Sequence, residues 1–132
     1  MSKSARSRPA KPILVDRRLL GSWRSNRRRT MAEWVWPRSM KPDRRQWFAG
    51  LFGHLKLRYT PRYLASDLKG FCERDRYEVV AMDADSVAIL WGAGQILHIH
   101  FEDDWYWISL GRNREWFKRV KTKPRQAAAR RS

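Results

Sequence analysis

From His54 onward the chain alternates. Leu55, Leu57 and Tyr59 are separated by Lys56 and Arg58, the period-two pattern of a strand with one buried and one wet face. Turn residues then punctuate a series of short apolar runs. Asp83-Ala84-Asp85-Ser86 separates YEVVAM from VAILW, and Gly92-Ala93-Gly94 separates VAILW from QILHIHF. Asp103-Asp104 leads into WYWISL, and Gly111-Arg112-Asn113-Arg114 leads into EWFKRV. A shorter strand is bracketed by Pro61 and Gly70. Evenly spaced short strands with turns between them predict an all-β fold, a small antiparallel up-and-down meander barrel.

Turn length sets register, and register sorts the faces. With Asp103-Asp104 as a two-residue loop, Phe101 opposes Tyr106, Ile99 opposes Ile108 and Leu97 opposes Leu110. Carrying the pairing outward adds Ile89, Val87, Met82, Val80, Phe117 and Arg119 to the same face, which we read as the interior; it sets Arg119 across from Tyr106. His98, His100, Glu102, Trp105, Trp107, Ser109, Trp116 and Lys118 fall on the other face.

The N-terminal half reads less regularly. Apolar residues at 13–15 and 19–20 open the folded part, and Gly21-Ser22-Trp23 reads as a first strand. Asn26 can cap a helix through Arg27–Glu33, whereas Trp34-Val35-Trp36 prefers a strand. Asp43 with Gln46 suggests a capping box for a helix at 44–52, ending near Gly53. One or two short helices near the N-terminus are therefore expected.

A chain of 132 residues has room for one core. Eight Trp, five Phe and four Tyr favour strands and a compact interior. The net charge of +16 is concentrated at the ends: residues 1–12 carry four basic groups and residues 118–132 carry seven, with no acid in either. That leaves a net of +5 over residues 13–117. We therefore expect basic disordered tails at 1–12 and 121–132 flanking a barrel domain at 13–120. Such tails attract nucleic acid or other polyanions without specificity. The single cysteine, Cys72, excludes an internal disulfide framework and a Cys-based zinc cluster. No apolar run follows the N-terminal charges, and no stretch approaches transmembrane length, so a cytoplasmic location is expected. Oligomeric state is not encoded in any pattern found.

Gly21 and Trp23 form a G-x-W motif on the first strand, and Arg119 lies near the last. On these residues the chain resembles the calycin superfamily, the lipocalins and intracellular fatty-acid-binding proteins. In lipocalins an arginine near the last strand packs across that tryptophan. Fatty-acid-binding proteins carry a helical lid between their first two strands, where helices are expected here. The resemblance implies a lipocalin-like barrel for residues 20–120, with an internal cavity for a small apolar or amphiphilic ligand lined by Trp23, Tyr106, Arg119, Phe101, Ile108 and Phe117. No T-D-Y motif is present, and the last strand reads F-K-R-V in place of an R-x-Y anchor, so a fatty acid is not implied. A void of roughly 300 Å³ or more separates a ligand-holding barrel from a solid, purely structural one.

Two other constellations carry chemistry. His98, His100 and Glu102 stand at alternate positions of one strand and share a face, so they could hold a divalent metal. The spacing from Gly92 through His98, His100 and Asp104 to Gly111 resembles the first cupin motif, which implies a metal-dependent enzyme; a second histidine-bearing motif downstream is missing. Separately, Arg27, Arg28, Arg29, Trp34, Trp36, Arg44, Arg45 and Trp47 interleave cations with rings, a mixture suited to single-stranded nucleic acid. Neither Cys72 nor any serine has the surroundings of an activated nucleophile, so a non-enzymatic role without a cofactor is the expectation.

Overall fold

The computed structural model describes residues 13–121. Eight strands run in chain order and close into one antiparallel barrel: β1 (Gly21–Ser25), β2 (Leu55–Tyr59), β3 (Tyr63–Leu68), β4 (Phe71–Met82), β5 (Ser86–Trp91), β6 (Gln95–Glu102), β7 (Trp105–Leu110) and β8 (Asn113–Val120). Closure comes from β1 pairing with β8 on one side and β2 on the other, so Trp23 faces both Leu57 and Arg119. Two short helices, α1 (Arg27–Ala32) and α2 (Pro42–Ala49), lie between β1 and β2. The meander therefore stands as expected. The expected tails, residues 1–12 and all of 121–132 but Lys121, lie outside the described residues.

The predicted turns set the strands. Glu102 pairs with Trp105 across Asp103-Asp104, and Phe101 with Tyr106; Asp103 takes a positive φ of 56° there. Trp91 pairs with Gln95 around Gly92 and Gly94, and Leu110 with Asn113 around Gly111-Arg112. Between β4 and β5 the Asp83 carboxylate accepts from the Ser86 hydroxyl and from the backbone N–H groups of Asp85 and Ser86, an Asx-type closure that holds it below the usual carboxylate range. Lys69-Gly70, both left-handed, form a tight turn between β3 and β4.

Several details depart from the sequence reading. A bulge between Val79 and Ala81 shifts the parity of β4, so Val79 points inward at 7% exposure while Val80 is 48% exposed. Met82 still opposes Val87 but sits exposed at the strand end. Trp34-Val35-Trp36 is not a strand. The Asn113 amide donates to the Val35 carbonyl and accepts from its N–H, giving that backbone the two bonds a neighbouring strand would supply. Asn26 caps α1 as expected, accepting from the Arg29 N–H at 2.9 Å. The second helix starts at Pro42 rather than at 44, with Lys41 as cap and Asp43 inside the first turn. Proline needs no hydrogen-bond acceptor for its nitrogen, so it fits that first position. Finally, Tyr106 faces Phe117, not Arg119, whose N–H bonds to the Asp104 carbonyl.

Candidate functional site

The up-and-down topology gives the barrel two unlike ends. At one end lie residues 13–20 and the β2–β3, β4–β5 and β6–β7 turns. At the other lie the two helices and the β3–β4, β5–β6 and β7–β8 turns.

The first end is sealed. Trp23 is 1% exposed, donates its indole N–H to the Leu19 carbonyl at 2.9 Å, and packs 4.6 Å from the Tyr106 ring. The Arg119 guanidinium lies 4.2 Å above the Trp23 ring and donates to the Leu20 and Arg18 carbonyls. Its charge is thus met by a ring face and two main-chain oxygens. Glycine at 21 permits this: its φ is +114°, and a Cβ there would sit 3.0 Å from the Arg119 guanidinium. A second plug stands beside it. Buried Asp16 accepts from the Arg18 side chain at 2.6 Å, and Arg18 donates to the Asp83, Ala84 and Ser86 carbonyls while covering Phe101. Deeper in, the Tyr59 and Tyr106 hydroxyls share a 2.8 Å hydrogen bond, and burial holds both phenols well above their ordinary range.

Of the six residues expected to line a ligand cavity, Trp23, Tyr106 and Phe117 are fully buried core, while Arg119 and Phe101 belong to the plug. Ile108 differs. It sits toward the helix end, half-buried, opposite Glu115.

At that second end inward-register residues are reached by solvent. Leu55, Trp91, Leu97 and Ile108 are only partly buried, and Leu68 and Leu110 at the rim are 45% and 39% exposed. Here β6 and β7 also part: their pairing stops at His100 opposite Trp107, short of the expected Ile99–Ile108 and Leu97–Leu110 pairs. Glu115 enters this apolar surrounding with a 2.6 Å hydrogen bond from the Ser25 hydroxyl, and burial raises its pKa.

His98, His100 and Glu102 share the outer face; the two imidazole rings lie 4.1 Å apart, but Glu102 turns away from them. The His98 ring bonds the Ser86 hydroxyl, His100 stacks on Trp107 at 3.9 Å, and Glu102 pairs with Arg29 at 2.7 Å. Burial lowers the His100 pKa, aided by His98 and Arg114 nearby. Among the described residues no group of three His, Cys, Asp or Glu is placed to hold a metal.

The basic-aromatic segment is divided. Trp34 and Trp36 pack with Phe48 and Phe52 into an aromatic cluster under the helices. Arg29 lies 3.5 Å over the Trp116 ring, and Arg45 bonds the Met40 carbonyl beside Trp36. Arg27, Arg28, Arg44 and Trp47 remain exposed. Outer rings are capped by cations from this chain, Trp107 by Arg114 and Trp105 by Lys118, so their faces are not bare. Nothing in the sequence pairs Glu115 with Ser25, 90 residues apart; the two meet because β1 closes on β8.

Comparison with protein families, curated proteins and solved structures finds no match to this chain. The geometry therefore carries the functional argument.

Proposed function

We propose that this is a calycin-like binding barrel that takes a small amphiphilic ligand at its helix end. The supporting observation is the contrast between the two ends: inward-register apolar residues are sealed around Trp23 but solvent-reached around Ile108, Leu97 and Trp91. Apolar side chains that stay wet at one mouth of the barrel favour an apolar occupant, which would remove that surface from water. The calycin reading draws on the closed meander, on Arg119 over Trp23, and on helices between the first two strands. Glu115 sets the polar end of the ligand. A half-buried carboxylate bonded only by a hydroxyl favours a cationic or hydrogen-bond-donating head group.

The test compares a long-chain alkylammonium with the alcohol of equal length, each displacing a neutral naphthyl fluorophore. We expect the ammonium to bind about tenfold tighter at pH 8, a gain of roughly 1.4 kcal/mol. Glu115→Gln should erase that preference, and Ile108→Trp should weaken both ligands by crowding the space beside Glu115. The pH dependence has a definite sign. Because the Glu115 pKa is raised, the carboxylate protonates early on acidification, and ammonium binding should fall through that range while alcohol binding stays level. Failure of either ligand to bind saturably, or indifference to Ile108→Trp, overturns the reading.

A further inference from the structure

The outer face of β1 and its neighbours holds a separate feature. Two cross-strand rows run side by side there: Ser22, Arg58, Ala65 and Arg74 in one, and Arg24, Lys56, Asp67 and Cys72 in the other. Val120 and Lys118 extend the rows onto β8. Between them lies a cleft of about 640 Å³. Small side chains at Ser22, Ala65 and Cys72 leave its floor low, while Arg24, Lys56, Arg58 and Arg74 supply its walls. Two further clefts, of about 490 and 560 Å³, adjoin it through shared Arg24, Ser22, Arg58 and Val120 and add Arg27, Lys118 and Lys121. The three form one concave band.

Seven exposed cations thus line one surface, against two carboxylates there, Asp67 and Glu73. Ion pairs among the described residues are Arg18 with Asp16 and Arg29 with Glu102; none of the seven takes part. Even Lys56 and Asp67, cross-strand neighbours, form no ion pair. Like charges gathered in a concavity raise its potential and draw in an opposite charge. The rows stand two residues apart, roughly 6.6 Å, and cross five strands over roughly 20 Å. That is a slot for one extended chain. Arg74 lies 4.0 Å over the Tyr63 ring and Lys118 4.6 Å over the Trp105 ring, so the rings beside the band are covered by its own cations and it offers contacts to phosphates without reading bases.

We propose that this band binds the sugar-phosphate backbone of a single-stranded nucleic acid, independently of sequence and of any ligand at the helix end. The segment at 27–47 expected to do so contributes only Arg27. Fluorescence polarisation of the full chain with a mixed-sequence single-stranded oligonucleotide, repeated over a range of salt, tests the proposal. The triple variant Lys56→Gln, Arg58→Gln, Arg74→Gln changes exposed side chains and should keep its circular dichroism spectrum. We expect it to lose at least about tenfold in affinity, with the slope of log K against log salt reduced by about 2, near 0.7 for each lost phosphate contact. A control variant with Arg125, Arg130 and Arg131 changed to Gln removes equal charge and should lose clearly less. Equal losses in both variants would make the binding a matter of bulk charge and overturn the proposal. So would equal affinity for a duplex of the same length, or for inorganic polyphosphate of matched charge.

Discussion

Replacing Trp23 by Ala should cost about 3–5 kcal/mol of unfolding free energy, the range for deleting a large aromatic from a packed core. The ring touches Tyr106, approaches Phe101, and carries Arg119 on its face, so its loss also strips the guanidinium of its cover. Trp23→Phe refines the test. It keeps most of the apolar contact but leaves the Leu19 carbonyl without its donor, and should cost about 1–3 kcal/mol. Urea unfolding at equilibrium would measure both. A loss below about 1 kcal/mol for the alanine variant would show that the seal described here does not hold the barrel together.

The second large effect concerns the junction of α1 with the barrel. The Trp116 N–H, buried where β1 leaves the sheet, donates to the Thr30 hydroxyl at 2.9 Å, while the Trp116 carbonyl accepts from Asn26. Thr30 is 1% exposed, so no water stands ready to replace it. Thr30→Val preserves the shape but removes the acceptor and should cost about 1–3 kcal/mol. Thr30→Ser retains the hydroxyl and should remain within about 1 kcal/mol of the parent. If valine and serine behave alike, the hydroxyl contributes nothing and α1 is held by packing alone.

How much of this was legible in the sequence follows from which forces are local. The turns at Asp103-Asp104, Gly92–Gly94 and Gly111 are set by residues within the turn itself, and they placed the C-terminal hairpins directly. The β4 bulge was hidden because YEVVAM is apolar on both parities and gives no sign where the extra residue falls. The first half of β4, FCERDR, was missed for the opposite reason: its charges alternate with nothing apolar to mark a buried face. Trp34-Val35-Trp36 has strand propensity, yet Asn113, far along the chain, completes its backbone bonds and its rings pack on α2. The pairing of Arg119 with Trp23 was expected from the resemblance, and it stands. What could not be seen was which end of the barrel this contact closes. Likewise Lys56 and Arg58 were readable as outward-facing, but the basic band exists only because β1, β2, β3 and β4 align their outer rows.

A soluble paramagnetic reagent, added while methyl and indole signals are followed by NMR, asks most directly whether the molecule is stoppered at one mouth and wet at the other. Signals from Ile108, Leu97 and Trp91 should broaden, while those from Trp23, Val87, Ile89 and Ile99 stay sharp. Uniform protection of all seven would mean a solid barrel with no place for a ligand, and broadening of Trp23 or Ile89 would mean that the Arg119 end is not closed.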